Sequence, residues 1–146
     1  MKVQDLRIGN LVTINNPEAW PEMKGIPVTV RSLKRVDDPM FPLSSGDAAL
    51  ESFYGDEYSQ FDEFIEPIPL TEEWLIKCGF EKLSHYEEAH TEEDYVWEIE
   101  APRSPVLFLV DGIFHEDNYG VKLQFVHQLQ NLYYALTGSE LTIKEQ

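Results

Sequence analysis

Residues 123–138 contain no charged side chain, in a chain where 26% of residues are Asp, Glu, Lys or Arg. Val126, Leu129, Leu132, Tyr133 and Leu136 fall within about 120° on a helical wheel, the width of a stripe that faces a core. His127, Gln130, Asn131 and Tyr134 stand at i, i+3, i+4 and i+7, so they share a second face of the same helix. A solvated helix face normally carries charge. This one carries none, so cover is expected on both sides, and Gly138 is placed to end the helix in a left-handed cap.

The elements available to provide that cover read mostly as strands. Leu6, Arg7 and Ile8 alternate, Gly9-Asn10 supplies a bend, and Leu11-Val12-Thr13-Ile14 resumes with β-branched residues. Asn15-Asn16-Pro17 breaks that strand, and a second is expected over 26–33, where Val28 and Val30 alternate with Thr29 and Arg31. Strand, Gly-polar bend and strand resemble the opening of a small SH3-like barrel. Pro39, Pro42, Ser44, Ser45 and Gly46 then mark loop chemistry, so 37–64 is expected to be an acidic surface insertion. Thr71 is a good N-cap, Glu72 and Glu73 suit the positive end of a helix dipole, and Gly79 suits the position just past its end. Strands are expected at 95–100, 106–114 and 121–125, with 115–120 as turn and a fourth strand if residues near 83–89 pair as well. The fold class is therefore α+β. An SH3-like small β-barrel portion occupies 1–69, and 70–146 holds a short helix, a three- to four-stranded antiparallel meander and the C-terminal helix.

Charge narrows the function. The 146 residues carry 27 acidic and 11 basic side chains, a formal net charge of −16. The first 36 residues are mildly positive, whereas residues 47–66 hold seven acids and no base. Phosphate binding needs clustered cations, so neither direct nucleic-acid binding nor an anionic membrane is an expected partner. Asp5 and Arg7 interrupt the only early apolar stretch, so no secretory leader is expected and the location reads as cytoplasmic. One cysteine makes no internal disulfide and no multi-thiolate zinc site.

Three stretches are similar to a family of small uncharacterised proteins that recurs in Bacteroidetes genomes, often in prophages and other mobile elements. They are Leu6-Arg7-Ile8-Gly9-Asn10; Ile68-Pro69-Leu70-Thr71-Glu72-Glu73-Trp74-Leu75 through Gly79-Phe80-Glu81; and Val126-His127-Gln128-Leu129-Gln130-Asn131-Leu132-Tyr133-Tyr134-Ala135-Leu136-Thr137-Gly138 through Leu141. Together they span 35 residues. The resemblance implies a bacterial or phage cytosolic protein and brings no activity, ligand or catalytic residue with it.

No catalytic constellation stands out. The His85, Glu87, Glu88, His90, Glu92, Glu93, Asp94 cluster is dense in metal-ligand types but lacks the i, i+4 histidine pair of a helical zinc site. His115-Glu116-Asp117-Asn118 reads as hairpin loop. There is no Gly-x-Ser-x-Gly elbow and no glycine-rich phosphate loop, and Cys78 reads as a small buried hydrophobe. Neither a cofactor nor a metal is expected. The interaction candidates are His127, Gln130, Asn131 and Tyr134 on the last helix, with Phe53, Tyr54, Tyr58 and Phe61 in the acidic stretch. The leading expectation is a non-enzymatic module that contacts a protein partner or a second copy of the chain. The alternatives are an acidic mimic of nucleic acid and a small metal-dependent hydrolase using the 85–94 cluster.

Overall fold

The computed structural model describes residues 1–2, 5–35, 46–51, 57–84, 95–117 and 120–144. The chain divides into two compact units, Met1–Ile68 and Pro69–Gln146, each with its own antiparallel sheet.

The N-terminal unit contains β1 (Leu11–Ile14), β2 (Pro27–Arg35), β3 (Gly46–Glu51), β4 (Glu57–Phe61) and β5 (Ile65–Glu66), in the spatial order β4-β3-β2-β1-β5. Alternation supplies the core: Val12 and Ile14 on β1, Val28 and Val30 on β2, Ala48 and Leu50 on β3, joined by Leu6, Met23 and Ile65. Between Val30 and Ser32 the register slips, so that Val30 faces Leu50 while Leu33 faces Ala48. This bulge reverses the side-chain parity of β2, and Leu33 rejoins the face of Val28 and Val30. Leu6–Ile8 form no strand, and Arg7–Asn10 make a turn closed by the Asn10 N–H on Arg7 O. Asn10 is fully buried, its Oδ1 accepts the Arg7 N–H at 2.7 Å, and Gly9 has φ 93° while its N–H bonds Val30 O at 2.8 Å. Such a φ strongly favours glycine.

Two expectations change here. The stretch 37–64 is not wholly an insertion, because 46–51 and 57–61 are paired strands and Ala48 and Leu50 are buried in the core. Their apolar positions are too few and too diluted by acids to advertise a strand. The barrel expected over 1–69 does not close, since β4 and β5 are the two edges of the sheet and do not pair with each other among the described residues.

The C-terminal unit contains α1 (Glu72–Lys77), β6 (Glu81–Ser84), β7 (Tyr95–Glu98), β8 (Leu107–Val110), β9 (Ile113–Glu116), β10 (Lys122–Leu123) and α2 (Val126–Thr137). Thr71 Oγ1 accepts the Trp74 N–H at the start of α1. At its end Gly79 N–H bonds Ile76 O and Phe80 N–H bonds Leu75 O, both at 2.9 Å, with Gly79 at φ 87°. That pair of bonds is a Schellman motif. The strands form a five-stranded meander, β6 to β10 in sequence order, one strand more than the three or four expected. The apolar run 106–114 is two strands, because Asp111 and Gly112 both take positive φ (51° and 75°) between the paired Val110 and Ile113. Positive φ at both central residues is the signature of a type I′ hairpin, whose twist matches that of its strands. By register Trp97, Leu107, Leu109, Phe114, Glu116 and Leu123 share one face.

Candidate functional site

The helix α2 is positioned at both ends by named bonds. Leu70 N–H bonds Gln124 O at 2.9 Å, and Pro69 bridges to Phe125. The N-cap is Phe125, whose ring offers no acceptor. Gln128 compensates from the third helical position, its Oε1 accepting the N–H groups of Gln124 (2.8 Å) and Phe125 (3.1 Å). This is the back-reaching half of a capping box. At the other end Gly138 is left-handed (φ 74°), its N–H bonds Tyr134 O at 2.8 Å, and Thr137 Oγ1 donates to Tyr133 O at 2.7 Å.

Both stripes of α2 contribute to burial, but unevenly. Of the expected core stripe, Val126, Leu129 and Tyr133 are buried, whereas Leu132 and Leu136 are half-buried. Of the polar stripe, His127 and Gln130 are buried (5% and 3% exposed), Asn131 is half-buried and Tyr134 is 42% exposed. The four polar candidates therefore do not form one surface. The stripe begins in the interior and emerges at Asn131 and Tyr134, beside the exposed Ala135. His127 lies against the Phe125 ring, centroids 5.8 Å apart and planes 11° apart, which suits a packed structural histidine.

The C-terminal unit buries a further polar group besides His127 and Gln130. Glu116, 1% exposed, lies not in the hairpin loop expected over 115–118 but at the end of β9, as its last residue. Its face follows from the alternation with Phe114, two positions earlier, and that is the signal that could have placed it. None of Glu116, His127 and Gln130 is without a partner. His115 likewise lies in β9, opposite Phe108 and Lys122, rather than in a loop.

Tyr58 and Phe61 belong to β4, opposite Leu50 and Asp47 in the register. Phe53 and Tyr54 lie outside the described residues, as does the 85–94 cluster. Among the described residues no group of three or more His, Cys, Asp or Glu is arranged to hold a metal ion, and no helix is long and apolar enough to cross a membrane.

Cys78, 1% exposed, follows α1 as its C-cap. Burial pushes its thiol from the ordinary 9.0 up to about 12. The unfolded chain ionises this thiol above pH 9 while the folded chain keeps its proton, so the associated stability is complete below pH 9 and is lost as pH climbs toward 12. Denaturant unfolding at pH 8 and pH 10.5 should show a larger loss for the wild type than for Cys78→Ala. Equal losses would mean the thiol is solvated.

Compared with protein-family models, curated proteins and solved structures, the chain matches none.

Proposed function

We propose that this chain is a non-enzymatic protein-interaction module and that the outer face of α2, around Asn131, Tyr134 and Ala135, is its contact surface. The observation that carries this reading is an exposed aromatic, Tyr134, on a helix with no charged residue. Water tolerates charge at such positions at no cost, whereas the centres of protein interfaces are depleted of charge and enriched in tyrosine. A tyrosine offers a partner an apolar ring with a polar tip, and the Asn131 amide beside it supplies directional hydrogen bonding. The setting in a bacterial or phage mobile element rests on the likeness of the three matching stretches.

The test is Tyr134→Arg. Its unfolding free energy should stay within about 0.5 kcal/mol of wild type, as for most surface changes. Sedimentation across a wide concentration range and capture from host lysate should be run at about 1 M salt, where charge attraction is screened within about 3 Å. The variant should lose the association that the wild type retains. Unchanged association, or none by the wild type, would refute the α2 surface.

A further inference from the structure

A sheet edge presents unpaired N–H and C=O groups, and proteins usually blunt it by keeping the edge strand short or charging it, above all with lysine. Two of the four edges here, β5 and β10, are two residues long. A third, β6, carries Glu81 and Lys82 within its four residues. The fourth, β4, is different. It has five residues, Glu-Tyr-Ser-Gln-Phe, with neither lysine nor proline. It pairs with β3 along its whole length, from Glu51↔Glu57 to Asp47↔Phe61, and on its outer side no strand pairs with it among the described residues. In an antiparallel pair, alternate residues turn both backbone groups toward the neighbour and the others turn both away. The outer side therefore offers either Glu57, Ser59 and Phe61 or Tyr58 and Gln60 to a further strand.

Charge selects which strand. Glu57 opens β4, and Asp62 and Glu63 follow it in the chain, within a stretch of seven acids and no base over 47–66. A second copy added to this edge would bring one base-free, acid-rich 47–66 stretch against another, and like charges brought together across strands destabilise a sheet. An extended chain bearing lysine or arginine meets the opposite situation. We propose that β4 is a docking edge for an extended, Lys/Arg-rich segment of a partner protein, which adds to the N-terminal sheet as a sixth strand. Backbone bonds hold such a strand, and the acids on either side of the edge select its charge. The edge belongs to a different unit from α2, so the proposal stands independently of the Tyr134 surface.

The probe is a blocked peptide of alternating lysine and valine, about seven residues long, titrated into the full chain at about 20 mM and about 0.5 M salt. Two further versions are N-methylated at alternate residues, one on the valines and one on the lysines. The parent should bind at low salt and weaken by about tenfold or more at high salt. One methylated version should bind about tenfold more weakly than the parent and the other within about threefold, because only one set of amides faces β4. Ser59→Pro and Gln60→Pro make the complementary cut, since only one of these N–H groups points outward. That variant should keep the sheet and lose the peptide. Amides of β4 should gain protection from hydrogen exchange on binding, and Tyr134→Arg should bind the peptide as the wild type does. Equal binding by both methylated versions, no binding by the wild type at low salt, or protection appearing on another strand would each overturn the proposal.

Discussion

Trp97→Ala should lower the stability of the C-terminal unit by about 3–5 kcal/mol, the usual range for emptying a tryptophan-sized core site. Trp97 is 1% exposed on β7, an interior strand of the sheet, opposite Leu107 on β8 and Lys82 on β6. Its ring meets Phe114 edge-on, centroids 6.5 Å apart at 83°, and the Lys82 ammonium lies 5.5 Å from its centroid while bonding Glu72 at 2.9 Å. Truncation removes both ring contacts together. Among the described residues no acceptor meets the Trp97 indole N–H. A buried donor of that kind is itself unfavourable, so Trp97→Phe should lose far less than its smaller ring would suggest, about 1–2 kcal/mol. Urea unfolding followed by circular dichroism measures both. A cost below about 1 kcal/mol for the alanine variant would show that Trp97 is not packed as described.

Leu50→Ala should cost the N-terminal unit about 2–5 kcal/mol. Leu50 is fully buried and stands between Val30 on β2 and Tyr58 on β4 in the register. Were 46–51 a surface loop, the same change would fall within about 0.5 kcal/mol. Glu51→Ala is the control next door. Its carboxylate pairs with Arg31 across the strands, and both side chains are partly exposed, so its loss should cost about 1 kcal/mol or less. Amide exchange on β2 and β3 reports the two variants separately. Equal effects would remove β3 from the core.

The contrast between Leu50 and the helix caps shows what could be read from residue order. Thr71 and Gly79 bound α1 because capping is local chemistry, complete within a few residues. Asp111-Gly112 was equally local, yet it was hidden by the continuous apolar run on either side of it. Strand β3 could not be read in that way, because its evidence is a partner: Ala48 and Leu50 become core positions only when Leu33 and Val30 lie opposite them. The bulge at Arg31, which makes that pairing possible, leaves no mark in the composition. On α2 both candidate stripes were visible and free of charge, so nothing in the sequence said which would be buried further. Packing buried His127 and Gln130 and left Leu132 and Leu136 half-open. Glu116 is hidden in the sequence because His115-Glu116-Asp117-Asn118 carries turn chemistry and reads as a loop.

Strand β5 has a consequence for how the protein is made. Every pairing in the C-terminal sheet joins strands that are neighbours in sequence, so each can form as soon as its second strand leaves the ribosome. In the N-terminal sheet β1 pairs with β2 early, but its other side waits for β5, where Glu66 meets Thr13 from 53 positions away. At translation speeds of about 5–20 residues per second that interval is about 3–10 s, during which the exposed edge of β1, with Val12 and Ile14, has no partner of its own. Conditions that slow the emergence of residues 15–66 from the ribosome should therefore increase aggregation of the nascent chain, whereas slowing the emergence of later residues should not.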